Sequence, residues 1–161
     1  NEKFVVKKGK KNDLFKTLDG VERKLSGEEL MITNGDSNLC IAGVYGGLTS
    51  GISQETTALF IESALFDSTS IRKTSKAHGL QTDASFRYER GVDPTFTESA
   101  MQRTLSLIIE CAGGKITMAP KCVKSQEISG NSIEVNTQRL IERLGVNIQT
   151  HDIINILEQI L

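Results

Sequence analysis

The sequence predicts an α+β chain, a β-rich sheet domain with packed helices, on three observations. Short apolar runs broken by turn residues crowd positions 3–44, the apolar spacing changes to three and four residues after Ser68, and a polar tract at 121–132 follows Pro120. The length of 161 residues holds one domain of ordinary size, or one domain with part of the next.

Taken in order, positions 4–6, 14–18, 21–25, 29–32 and 39–42 read as strands of a β-meander. Asp19-Gly20 is a two-residue hairpin signal, and 34–38 is a second turn cluster. Four glycines fall between Gly43 and Gly51. Residues 56–66 read as a buried strand interrupted by Glu62. From Ser68, the positions Ile71, Thr74, Ser75 and His78 follow helical spacing, with Gly79 suited to the stop. Asp93-Pro94 reads as N-cap and first helical residue, with Val92 as a staple. That helix runs to Gly113-Gly114, and its stripe of Met101, Leu105, Ile108 and Ala112, widened by Leu107 and Ile109, predicts packing on the sheet. Beyond the 121–132 linker, 133–135 reads as a strand, Asn136 caps a helix ending before Gly145, and Thr150 caps a helix over 151–161.

Nineteen basic and twenty acidic residues leave a net charge of −1, which excludes a globally basic nucleic-acid binder but not a local basic patch. No apolar run reaches the roughly 20 residues that span a bilayer, so no membrane association is expected. Cys40, Cys111 and Cys122 are odd in number and widely separated, a pattern of reduced thiols in a cytoplasmic protein; no metal site is expected. The chain opens on Asn1 without an initiator Met, and we expect an excised fragment.

Three places carry candidate chemistry. The Gly43–Gly51 stretch lacks the P-loop and dinucleotide patterns, and reads as a tight turn or a loop lining a small-molecule pocket. Glu62 is either on the solvent face of a half-exposed strand or a buried acceptor that needs a donor. Residues 78–94, HGLQTDASFRYERGVDP, place Ser85 near His78 and Asp83, but without the G-x-S-x-G elbow of a nucleophile. Asp83 and Arg87, four apart, suit a helical ion pair. Arg72, Lys73, Lys76, Arg87, Arg90 and Arg103 are either a phosphate-holding face or scattered solvated charges.

The blocks IAGVYGG at 41–47, TSGI at 49–52, ET at 55–56 and IESALF at 61–66, followed by the 78–94 run, occur together in this order. They resemble the β subunit of bacterial phenylalanyl-tRNA synthetase, whose signature H-G-L-x-T-D-A-S-x-R-[FY]-E-R-G-V-D-P the last run closely matches. The resemblance implies that 1–122 is an α+β editing domain and that 123–161 begins a winged-helix-like module. It implies an α2β2 assembly with a synthetase α subunit, acting on tRNA(Phe) with ATP and magnesium. Neither of those cofactors is expected in this fragment, because aminoacylation belongs to the α subunit.

The implied activity is hydrolysis of tyrosine wrongly attached to tRNA(Phe), a second sieve that recognises the extra hydroxyl. Carried over by position, Glu62 recognises the phenol oxygen of the tyrosine moiety, and Gly46, Thr82 and Ala84 line its pocket. Under this resemblance the buried-acceptor reading of Glu62 replaces the solvent-face one. The family also has a histidine-containing segment, G-Q-P-x-H-A-[FY]-D, upstream of the position of Asn1. The expectation is therefore a pocket without part of its hydrolytic apparatus, with no catalytic residue assigned, His78 packing or capping, and water as the attacking group. The rival class is a non-catalytic tRNA-docking or subunit-assembly module.

Overall fold

The computed structural model describes residues 3–124 and 132–160, which divide into two compact units, 1–120 and 121–161. In the first, the strands are β1 (Val5–Lys8), β2 (Leu14–Lys16), β3 (Glu22–Lys24), β4 (Leu30–Thr33), β5 (Asn38–Ile41) and β6 (Tyr45–Gly46). Antiparallel pairing gives a four-stranded sheet in the order β1-β4-β5-β6 and a separate β2-β3 ladder. The expected meander is thus interrupted, because the β2-β3 hairpin leaves the sheet and returns the chain to β4. Thr17 makes an isolated bridge to Gly47, which ends β2 earlier than the apolar pattern predicts.

The Asp19-Gly20 turn is present but spans 17–21, longer than the two-residue loop expected. Arg23 explains the difference, since its guanidinium bonds both Asp19 carboxylate oxygens at 2.9 and 2.8 Å and reaches the Thr17 hydroxyl. These bonds hold the Asp19 carboxyl well below the ordinary carboxylate range.

The centre of the core is β4, where Met31, Ile32 and Thr33 are all buried. Leu25, Ile41, Ala42, Val44, Phe66, Ile71 and Leu80 pack into the same cluster. Each large apolar side chain removed from water there contributes roughly 1.5–3 kcal/mol.

Helix α1 (Ser68–His78) contributes Ile71 to that cluster. The Asp67 carboxylate caps its start by accepting from the Ser70 N–H, and Gly79 ends it at φ +63°, as the sequence predicts. Helix α2 (Asp83–Tyr88) follows directly.

Residues 56–66 are not a strand. They form a strap with no regular secondary structure, and positions 51–60 are exposed, so solvent serves much of their backbone. Side chains attach it instead. Phe60 stacks on Phe4 with centroids 3.7 Å apart, Ser63 Oγ donates to the Thr97 carbonyl at 2.7 Å, and Phe66 is buried edge-on to Tyr88.

Helix α3 (Phe96–Ala112) begins later than Asp93-Pro94 predicts. The Asp93 carboxylate accepts from the N–H and hydroxyl of Thr95, and so closes a turn ahead of the helix. Gly113 ends α3 as expected, but the predicted stripe is covered only in part: Met101, Leu105 and Ile108 are half-buried, no α3 residue is fully buried, and Ala112, Leu107 and Ile109 are exposed.

In the second unit, Asn136 caps α4 (Thr137–Leu144) and Gly145 ends it at φ +67°, as predicted. Residues 133–135 carry no strand. Helix α5 (Thr150–Ile160) already includes Thr150; the Gln149 carbonyl accepts from Asp152 and Ile153, which places the boundary one residue earlier than expected. Most of the predicted linker, 125–131, lies outside the described residues. Among the described residues no helix is long and apolar enough to cross a membrane.

Candidate functional site

The glycine-rich stretch folds as a tight turn leading into β6 and a short 3-10 turn at Leu48–Ser50. Two glycines there are required by geometry. Gly43 has φ +65°, and a Cβ on it would lie 2.8 Å from both Ile71 and Phe66. Gly47 donates to the Leu39 carbonyl, and a Cβ on it would sit 2.5 Å from that oxygen. Between them, Gly46 pairs with Cys40 across the β5-β6 ladder and accepts a bond from the Leu18 N–H.

Thr82 is tied to the same turn, because its hydroxyl donates to the Val44 carbonyl at 2.7 Å. It is also the N-cap of α2: its oxygen accepts from the Ser85 N–H, while Ser85 Oγ accepts from the Thr82 N–H. Ala84 is exposed in the first turn of α2, and Tyr88, four residues on, lies on the same side of that helix.

Glu62 is exposed as a residue, yet loss of water around its carboxyl pushes the group above its ordinary value, with no donor bonded to it among the described residues. Its charge reaches two neighbours. Burial first, and Glu62 second, push the Cys40 thiol up to about 11 and raise the Tyr88 phenol. Cys40 is the ladder partner of Gly46, and Tyr88 is one turn from Ala84. The Glu62 charge is thus within reach of Cys40 on β5 and of Tyr88 on α2, and Thr82 ties the start of α2 to the Val44 carbonyl in the turn ahead of β6.

Ser85 is not placed as a nucleophile. It is buried and held in the capping box, donating to the Thr82 carbonyl, while Asp83 is exposed and His78 is bound elsewhere. The expected Asp83–Arg87 pair does not form; instead Arg90 lies 3.4 Å over the Phe86 ring and bonds Glu89.

His78 Nε2 meets Glu29 Oε1 at 2.8 Å, and both side chains are buried. Burial raises the Glu29 carboxyl, but bonds from the Ser26 and Gly27 N–H groups and the His78 ring outweigh it and hold the group at about 2. Sequence reasoning missed Glu29. Beside Glu28, at the start of a predicted strand, it carries no local mark of a partner 49 residues away.

Cys40, Cys111 and Cys122 are free thiols, the last two exposed. Among the described residues no three His, Cys, Asp or Glu side chains gather as a metal site.

A hairpin-interrupted antiparallel sheet with capped helices defines a domain of the α+β class, and the family comparison agrees on the fold. The chain belongs to the B3/4 domain family, whose model matches residues 1–113. It is 43% identical over 141 residues to the phenylalanine--tRNA ligase beta subunit of Bacteroides fragilis, covering 88% of this chain and 17% of that protein. The subunit of the same name from Bdellovibrio bacteriovorus is 35% identical over 159 residues, which is 99% of this chain and 20% of its own length. That of Porphyromonas gingivalis is 56% identical over 104 residues, covering 63% and 13% respectively. The chain thus spans no more than about a fifth of these relatives, as one B3/4-bearing segment of a beta subunit.

Proposed function

We propose that this chain is the part of a phenylalanine-tRNA ligase β subunit that inspects the amino acid on tRNA(Phe) and hydrolyses mischarged tyrosyl-tRNA(Phe). What supports the reading is that the Glu62 charge reaches Cys40, the ladder partner of Gly46, and Tyr88, one turn from Ala84 on α2. Ala84 is small and exposed. The side chain standing against Gly46 is Leu18, whose Cδ1 is 2.8 Å from where a Cβ would stand and would have to turn aside to admit an aromatic ring. Glu62 accepts a hydrogen bond from a phenol. A carboxyl short of water gains from that donor; phenylalanine offers none and leaves it unpaired. Thr82 acts by holding the Val44 carbonyl to the start of α2, since its hydroxyl is already committed. With Ser85 locked in a cap, water is the attacking group.

In this reading the chain works within a cytoplasmic α2β2 synthetase beside the α subunit, and 123–161 continues as a winged-helix-like module, of which α4 and α5 are the helical part. ATP and magnesium serve aminoacylation in the α subunit, not this segment. In the full synthetase, Glu62→Ala should slow deacylation of tyrosyl-tRNA(Phe) and leave phenylalanine charging unchanged; equal deacylation by parent and variant removes Glu62 from the role.

A subunit-assembly module is the second reading. The unburied apolar positions of α3, Leu107 and Ile109, favour it. Titration of the chain separates the two: selective tyrosine binding supports inspection, whereas binding of neither tyrosine nor phenylalanine supports assembly.

A further inference from the structure

One face of α1 gathers positive charge that nothing described so far uses. Arg72, Lys73 and Lys76 are exposed, while the interleaved Ile71, Thr74 and Ser75 are buried. Burial of the second set fixes the rotation of the helix, so the cations face solvent together. With Ser68, Thr69 and Glu89 they line a cleft of about 340 Å³.

Two carboxylates lie near, and both are engaged. Glu89 bonds Arg90 at 2.8 Å, and Asp67 accepts from the Ser70 N–H at 2.7 Å. Among the described residues none of the three cations has an ion-pair partner. In a chain of net charge −1 this is a local feature, not the spill of a basic composition.

We propose that this cleft binds the phosphates of the RNA strand that presents the aminoacyl group, an inference that rests on the function proposed above. Arg72 supplies a planar fork for phosphate oxygens, Lys73 and Lys76 supply point charges, and the Ser68 and Thr69 hydroxyls supply neutral donors. Position favours RNA over an acidic protein segment. Helix α2 carries Ala84 in its first turn and Glu89 at its end, and its six residues span roughly 9 Å at 1.5 Å each. An amino acid held beside Ala84 brings the nucleotides bearing it to this side of α1. The contacts are to backbone phosphate, so they grip any sequence and leave selection to the amino-acid pocket.

The test compares the 161-residue chain, R72Q/K73Q/K76Q, and the control K7Q/K10Q/K11Q, which removes three exposed lysines elsewhere. Affinity for a tRNA(Phe) transcript is measured between 25 and 200 mM salt, settings chosen on the order of a Debye length of 10 Å. Loss of three phosphate contacts should reduce the slope of log K against log salt by about 2, at about 0.7 per contact, and the control should retain most of the parent slope. Equal losses in both variants, no loss in the first, or no binding by the parent overturns the proposal. Tighter binding of polyglutamate than of RNA through the same three positions overturns it in favour of a protein partner. Tyrosine titration of the same variants keeps the two inferences apart. Selective tyrosine binding with an unaltered RNA slope rejects the cleft alone, whereas a reduced slope without tyrosine binding rejects the inspection function alone.

Discussion

The paired framework and the strap of residues 56–66 are held by different physics, and the candidate site draws on both. Gly46 and Thr82 belong to the framework, where each is fixed by ladder or capping bonds to a defined backbone partner. Glu62 sits on a strap secured by one hydroxyl bond, one exposed ring stack and the buried Phe66. The comparison teaches that the backbone carrying Gly46 and Thr82 is pinned by paired bonds, and that Glu62, the carboxylate of the proposed function, is the less constrained member. Substitutions should therefore damage the fold through the framework and recognition through the strap.

The largest effect is expected at Glu29. Glu29→Ala orphans the Ser26 and Gly27 N–H groups and the buried His78 ring, at a cost of about 3–5 kcal/mol by urea unfolding at neutral pH. The parent should also show an acid limb. Its Glu29 is held at about 2 in the fold against 4.5 unfolded, so this stabilisation is complete above pH 4.5 and lost as pH falls through about 2. Glu29→Ala should flatten that limb; an unchanged limb would assign acid sensitivity to other carboxylates.

Thr82→Ala comes next, at about 1–2 kcal/mol, from the lost cap of α2 and the unpaired Val44 carbonyl. Thr82→Ser keeps both bonds and should recover most of the loss in the same unfolding measurement. Failure of that rescue would place the role of Thr82 in its methyl group instead. On the strap, Ser63→Ala removes only the bond to the Thr97 carbonyl, at about 0.5–1.5 kcal/mol. Faster hydrogen exchange should then be confined to the strap and the first turn of α3; exchange spreading into β4 would make the strap part of the framework.

The same division governs what was legible in the sequence. Local chemistry announced α1, with Gly79 in the left-handed region, and α4, with Asn136 as its cap, because a helix end is decided by residues within a few positions. The strap misled because Leu59, Phe60, Ile61, Leu65 and Phe66 have the composition of a strand, while a strand also needs a partner, which sequence spacing does not report. Asp93 misled because the same side chain closes a turn or caps a helix, and the choice depends on which N–H lies in reach. Glu29 was illegible for a longer-range reason: its partner His78 stands 49 residues away at the end of α1, and only the tertiary fold brings the two together. Glu62 was noticed as an anomaly in an apolar run, and the resemblance, not the pattern, supplied its proposed role.

The smallest expected effect on stability belongs to Glu62, and its sign is opposite to that of Glu29. Loss of water raises the folded-state group above the unfolded value of 4.5, so the fold holds this proton more tightly than the open chain does. Below pH 4.5 both states are protonated and Glu62 is neutral in the balance; as pH rises through the raised folded value, the buried charge becomes a penalty. Glu62→Gln carries no charge at any pH, so it should match the parent in acid and exceed it slightly at neutral pH, in paired urea unfolding curves. Tyrosine should narrow the gap, because a phenol donor favours the ionised carboxylate and offsets part of the penalty only in the parent. A gap that is constant with pH would mean that water already serves this carboxylate. Glu62 would then belong with the solvated charges of the strap, and the contrast between a pinned framework and a carboxyl short of water would fail at its central residue.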